Sequence, residues 1–210
     1  MIKNKELENY LNENILVMYK DNIGGHGISH IKQVIERCFE IIEEFNLDVS
    51  LDIIYAIAIF HDLGYKIDPD NHEEISANLF YNNEIMKKFF DAATRKIIYE
   101  AIIDHRASLE YEPRSIYGKI VSSADREISV SNMLIRSYFY QKDKHQDENP
   151  TQDEIIEYSY NKLASKYGKS GYAKMYFPDK KYLSFLESMQ KLIENKEEFF
   201  KCEKELVKTK

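Results

Sequence analysis

The ten-residue run Leu51-Asp-Ile-Ile-Tyr-Ala-Ile-Ala-Ile-Phe60 ends directly in His61-Asp62. A segment this apolar folds as a buried element, so the imidazole and the carboxylate behind it are drawn into the interior. Burying both is costly unless something satisfies them. A divalent metal does so, because it takes imidazole nitrogen and carboxylate oxygen together. For the dipeptide alone, the competing reading is a structural His–Asp hydrogen bond near a helix C-terminus.

The rest of the chain reads as helical. Apolar residues recur at helical spacing, alternating stretches are few, and there are only four prolines and seven glycines. A first helix is expected over 5–20, with Leu7, Leu11, Ile15 and Met18 on one side, then a loop over 21–27. Ser29 is placed to cap a second helix with Ile31, Val34, Ile35, Cys38, Ile41, Ile42 and Phe45 on one face. The buried helix 50–61, a loop over 64–72 and helices near 72–82, 92–106 and 116–140 follow. Gln141 to Asn149 reads as a polar linker, and Thr151-Gln-Asp-Glu154 as a capping box. The segment Tyr167 to Tyr172 breaks that helix, and Pro178-Asp179 opens a terminal helix to about 207. The expected organisation is a domain over 1–140 and a helical extension over 141–210 packed on it.

Periodicity also sorts the polar residues. Asp125 lies four after Val121 and three before Ile128, on the stripe that should face the core. His105 follows Ile102 by three, His72 shares a face with Ile75, Ser76 and Leu79, and His30 precedes Val34 by four. One polar residue on a buried stripe is common. Several on successive helices need a common partner, and a metal at the bundle centre is the economical one. Asp104 is expected to face solvent, as is His145 in the charged linker. His26 is expected to cap its loop, the alternative being that it lines the mouth of a site.

The ordered segments His26-Gly-Ile-Ser-His30, Phe60-His-Asp-Leu-Gly64, His72-Glu-Glu-Ile-Ser-Ala77, Ile103-Asp-His-Arg106 and Gly118-Lys-Ile-Val-Ser-Ser-Ala-Asp-Arg126 resemble the HD-domain superfamily of metal-dependent phosphohydrolases. The resemblance covers roughly residues 20 to 135 and implies an all-α HD-type bundle around a metal centre. It also implies that His30, His61, Asp62 and Asp125 bind one metal. In binuclear members the residues matching His72 and His105 bind a second, with Asp62 bridging; otherwise they position groups around a mononuclear site. The cofactor is then one or two divalent ions, with Mn, Mg, Ni and Fe as candidates.

The function this implies is hydrolysis of a small phosphorylated molecule, a nucleotide among the candidates, by metal-activated hydroxide. Asp62, Lys66 and Glu73 are the catalytic candidates. Lys66, Arg106 and Arg126 supply cations near the ligands that can offset phosphoryl charge, and Arg106 and Arg126 are the candidate substrate-binding residues. Glu73 is a candidate general acid or base, or a water-orienting group. Two rivals share the scaffold: a di-iron oxygenase with the same ligand pattern, and a non-catalytic binding or regulatory module.

Bulk properties narrow the classes. The net charge of -7 gives no basic field for a nucleic-acid polymer. The two cysteines, Cys38 and Cys202, form no Cys-x-x-Cys pattern, which suits a reducing, cytoplasmic setting. No apolar run is long enough to span a bilayer, and the N-terminus has no apolar signal core. A homo-oligomer is compatible with the sequence. Lys169-Ser170 lacks the glycine spacing and the strand of a phosphate loop. Tyr158, Tyr160, Tyr167, Tyr172 and Tyr176 read as packing residues, with base stacking as the alternative.

Overall fold

The computed structural model describes residues 4–21, 26–107 and 109–208, and among them there are helices and no strands. The chain divides into two compact units, 1–126 with 175–177, and 127–174 with 178–210.

The first unit opens with α1 (Lys5–Tyr10), capped by the Asn4 side chain. The chain then widens into a π-helical turn over Leu11–Ile15 and tightens into a 3-10 turn over Leu16–Asp21. Those changes of pitch rotate the expected apolar side. Leu7, Leu11 and Ile15 are buried, but Leu16 and Tyr19 join them while Met18 is exposed. Of the expected loop over 21–27, residues 22–25 lie outside the described residues. The helix α2 (Ile28–Glu44) follows, with Gly27 rather than Ser29 at its N-cap and no side-chain cap.

The helix α3 (Leu51–Phe60) is the core element, and Ile54 to Phe60 are each buried. It packs against α2, α4 (His72–Tyr81), α6 (Ala92–Ile103) and α7 (Ile116–Ala124); a single turn, α5 (Met86–Phe89), precedes α6. A helix covered on all sides must be apolar all round, as α3 is over Ile54 to Phe60. Asp91 caps α6 and Ser115 caps α7 through their side chains.

The helix expected over 116–140 is two helices in the structure. After α7 the Glu127 carboxylate accepts the backbone N–H groups of Ile128 and Ser129, and Ser129 caps α8 (Val130–Lys144). Side chains that satisfy backbone donors locally compete with helix continuation. The second unit therefore contains α8, which the expected boundary at 140 left with the first domain, together with α9 (Gln152–Tyr167), α10 (Lys180–Glu194) and α11 (Lys196–Val207). Thr151 and Glu154 form the expected capping box. The expected terminal helix is broken at Asn195, whose side chain accepts from Glu198 N–H and starts α11. Within this unit Leu134, Ile156, Leu163, Phe185, Met189 and Phe199 are buried. His145 is not free in solvent: it stacks on Tyr158 with ring centroids 4.1 Å apart and pairs with Glu148 at 2.9 Å.

Candidate metal centre

The polar residues singled out by the sequence meet in the first unit, each near a helix end. His30 lies in the first turn of α2, His61 is the C-cap of α3, His72 opens α4, His105 is two residues past α6, and Asp125 is the C-cap of α7. Helix ends suit this task because the chain turns there and can aim a side chain along the bundle instead of across it.

Three imidazoles are aimed by their own backbone. His61 Nδ1 lies 2.8 Å from Ala58 O, His72 Nδ1 2.8 Å from Pro69 O, and His105 Nδ1 2.6 Å from Ile102 O. A carbonyl only accepts, so each Nδ1 carries a proton and each Nε2 is the nitrogen left for another partner. That is the arrangement of a histidine prepared for a metal.

Asp62, 2% exposed, sits where these rings converge. Its Oδ2 lies 3.4 Å from His30 Nε2 and 3.4 Å from His61 Nε2. Its Oδ1 lies 3.4 Å from His72 Nε2 and 3.5 Å from His105 Nε2. Asp125 Oδ1 completes the first group, 3.2 Å from His30 Nε2 and 3.8 Å from His61 Nε2. The Nε2 atoms of His30 and His61 are buried, and neither has a partner in hydrogen-bond geometry. Buried, orphaned nitrogens facing carboxylate oxygens fit a divalent cation. Ligand atoms of His30, His61 and Asp125, and of His61, Asp62 and His105, lie within 4.8 Å of one another.

The electrostatics follow from this crowding. Burial works against charge on His30, yet the carboxylates of Asp125 and Asp62 raise its pKa to about 9. Burial also opposes ionisation of Asp125, but His30 and His61 pull its carboxyl down to about 2. Asp62 is held well below the carboxylate range against its burial by His61, His105, His26 and His30. The Nε2 atoms of His72 and His105 face each other at 3.2 Å. Burial and the charge of His105 lower His72, whereas His105 rises against its burial through Asp62. That pair holds one proton, or a cation in its place.

The other candidates are placed less centrally. Arg106 Nη1 donates to Glu73 Oε1 at 2.5 Å and to Asp70 O at 2.7 Å, so the proposed acid–base group and the proposed substrate cation are partners. Arg126 Nη2 donates to Ser122 Oγ at 2.9 Å, and Lys66 is exposed on the turn after the dyad. Asp104 does not face solvent. It is fully buried and accepts from Arg114 Nε, Nη2 and backbone N–H and from Tyr111 OH. Sequence reasoning undervalued His26, whose Nδ1 lies 2.7 Å from Asp62 Oδ2. The available signal was its position four before His30, shared by two histidines flanking one helix start.

An all-helical unit with converging imidazoles and carboxylates defines the class, a helical protein built around a metal-type centre. Residues 27–128 match the family model of the HD domain. The chain is also similar to the crystal structure of a predicted HD superfamily hydrolase from an uncultured Thermotogales bacterium. The two share 27% sequence identity with a TM-score of 0.46, over 60% of this chain and 67% of that one. No curated protein matches the chain.

Proposed function

We propose that the first unit is a metal-dependent phosphohydrolase acting on a small phosphorylated molecule, with nucleotides among the candidates. The observation that carries this reading is the division of Asp62: one oxygen faces His30 and His61, the other faces His72 and His105. In this reading His30, His61, Asp62 and Asp125 hold one divalent ion, and Asp62, His72 and His105 a second. Bound there, such ions supply Lewis acidity and lower the pKa of water toward neutrality.

The chain's own residues do the rest. The carbonyls of Ala58, Pro69 and Ile102 fix the ring tautomers. Arg106, held by Glu73, is the cation nearest the His72–His105 pair in sequence and offsets phosphoryl charge. Glu73 then serves first to orient Arg106. Lys66 and Arg126 are the remaining cations assigned to substrate. The two free thiols suit a cytoplasmic protein.

The test pairs metal content with phosphate release. Protein prepared without chelator is analysed by elemental mass spectrometry, then assayed on phosphomonoesters and nucleotides with Mn, Mg, Ni or Fe. Asp62→Ala is expected to lose metal and phosphate release together. Lys66→Ala is expected to keep its metal and lose about tenfold in turnover, less than the loss for a fully positioned donor. Full metal content in Asp62→Ala would overturn the site. Bound iron with oxygen uptake and no phosphate release would overturn the reaction.

A further inference from the structure

We infer that His26 is a positioning residue of this centre, holding Asp62 in the orientation in which its two oxygens serve both ligand groups. The inference rests on the reading of the cluster as a metal centre.

Five imidazoles surround the Asp62 carboxylate, and they do not approach it equally. His30, His61, His72 and His105 stand 3.4–3.5 Å away. His26 alone of the five is in direct hydrogen-bond contact, at 2.7 Å from Oδ2. A carboxylate shared between two ligand groups must not rotate about its Cβ–Cγ bond, since rotation would spoil both. A short hydrogen bond from a ring nitrogen to an ionised oxygen supplies that restraint.

The ring of His26 is itself held. It stacks on Tyr65 with centroids 3.8 Å apart and an interplanar angle of 18°. Tyr65 in turn meets the His72 ring edge-on at 5.5 Å. Tyr65 stands on the turn that carries the dyad, and that turn is closely packed. Gly64 N–H donates to Ser76 Oγ at 2.8 Å, and a Cβ at Gly64 would lie 2.7 Å from His72 O. His26 therefore joins the entrance of α2 to the turn after α3 and, through Tyr65, to α4. Ligand atoms of His26, His30 and Asp62 also lie within 4.8 Å of one another, but the His26 Nδ1 is already engaged by Asp62, so support of a ligand is the role inferred and ligation is the alternative the test separates.

The test uses Co(II) with the whole chain and two variants. His26→Asn keeps an amide N–H close to the position of Nδ1, and His26→Ala removes it. Affinity is measured by chelator competition, stoichiometry at saturation by elemental analysis, and coordination by the Co(II) visible spectrum. His26→Ala is expected to weaken Co(II) binding by about 10–100-fold, the usual cost of losing an outer-shell partner. Its saturated stoichiometry and spectrum should match the wild type, and His26→Asn should recover most of the affinity. Unchanged affinity in His26→Ala would overturn the inference and leave His26 as a loop cap. Lost stoichiometry and altered Co(II) bands in both variants would make it a ligand instead, overturning the positioning role. A wild-type chain that binds no Co(II) overturns the metal-centre reading and this inference with it. Wild-type binding with an unaffected His26→Ala overturns only the inference.

Discussion

Asp104 and His105 are neighbours in the chain with different tasks. His105 turns inward to Asp62, while Asp104 is locked by Arg114 across the loop that follows α6. The Arg114 guanidinium is partly exposed and lies over the Tyr111 ring, so the pair is buried on one side only. Removing Arg114 leaves Asp104 buried with only Tyr111 and a backbone N–H. Arg114→Ala is expected to destabilise the chain by about 3 kcal/mol, the lower end for breaking a buried pair. Arg114→Lys should recover little, because an ammonium cannot reproduce the fork of bonds. Urea unfolding of both variants checks this, and equal stabilities of Arg114→Lys and wild type would refute it. The periodicity that put His105 on an inward stripe put Asp104 outside. It missed that a buried carboxylate is satisfied by an arginine ten residues away.

At the scale of elements, buried Glu203 on α11 sets a condition on the second unit. Its carboxyl is fully buried, and Ser159 Oγ donates to Oε1 at 2.7 Å while lying 2.8 Å from Ser137 Oγ. Burial pushes its pKa up to about 8, with Ser159 opposing. The folded state thus holds the Glu203 proton more tightly than the unfolded chain. That contribution is fully present below the ordinary glutamate value of about 4.5 and is lost as pH rises through about 8. Glu203→Gln is expected to match wild type near pH 4 and to exceed its stability by a few kcal/mol at pH 9. Thermal unfolding of the two proteins across that range checks the sign. A difference independent of pH would show that Glu203 does not titrate on unfolding.

Element boundaries obey the same rule of local competition. The capping box at Thr151 was legible because its four residues carry both halves of the motif. The breaks after Ala124 and at Asn195 were not, since helical periodicity runs on through them while Glu127 and Asn195 take the backbone donors. The break at 125 matters to the site, because it makes Asp125 a C-cap instead of a mid-helix residue.

For the whole molecule, a metal that binds only the folded chain stabilises it. At free metal of 100 times Kd the gain is about 2.7 kcal/mol, and the transition of the first unit should rise by roughly 5–15 °C. Calorimetry with and without Mn(II) measures it, and Asp62→Ala should abolish the shift. A wild-type transition indifferent to every candidate metal would count against the centre. Among the described residues no helix is long and apolar enough to cross a membrane.

The sequence by itself determined the helical class, the buried α3 with His61-Asp62 at its end, and the ordered candidates His30, His72, His105 and Asp125. Those are consequences of local periodicity and of the cost of burying polar groups, both of which can be read within one helix. Only the tertiary structure decided that Asp125 sits at a helix end, that Arg106 is held by Glu73, and that Asp104 is buried. It also decided that His26 reaches Asp62. His26 and Asp62 are 36 positions apart and Arg106 and Glu73 are 33, and such pairs are made by how helices pack, which leaves no local pattern along the chain.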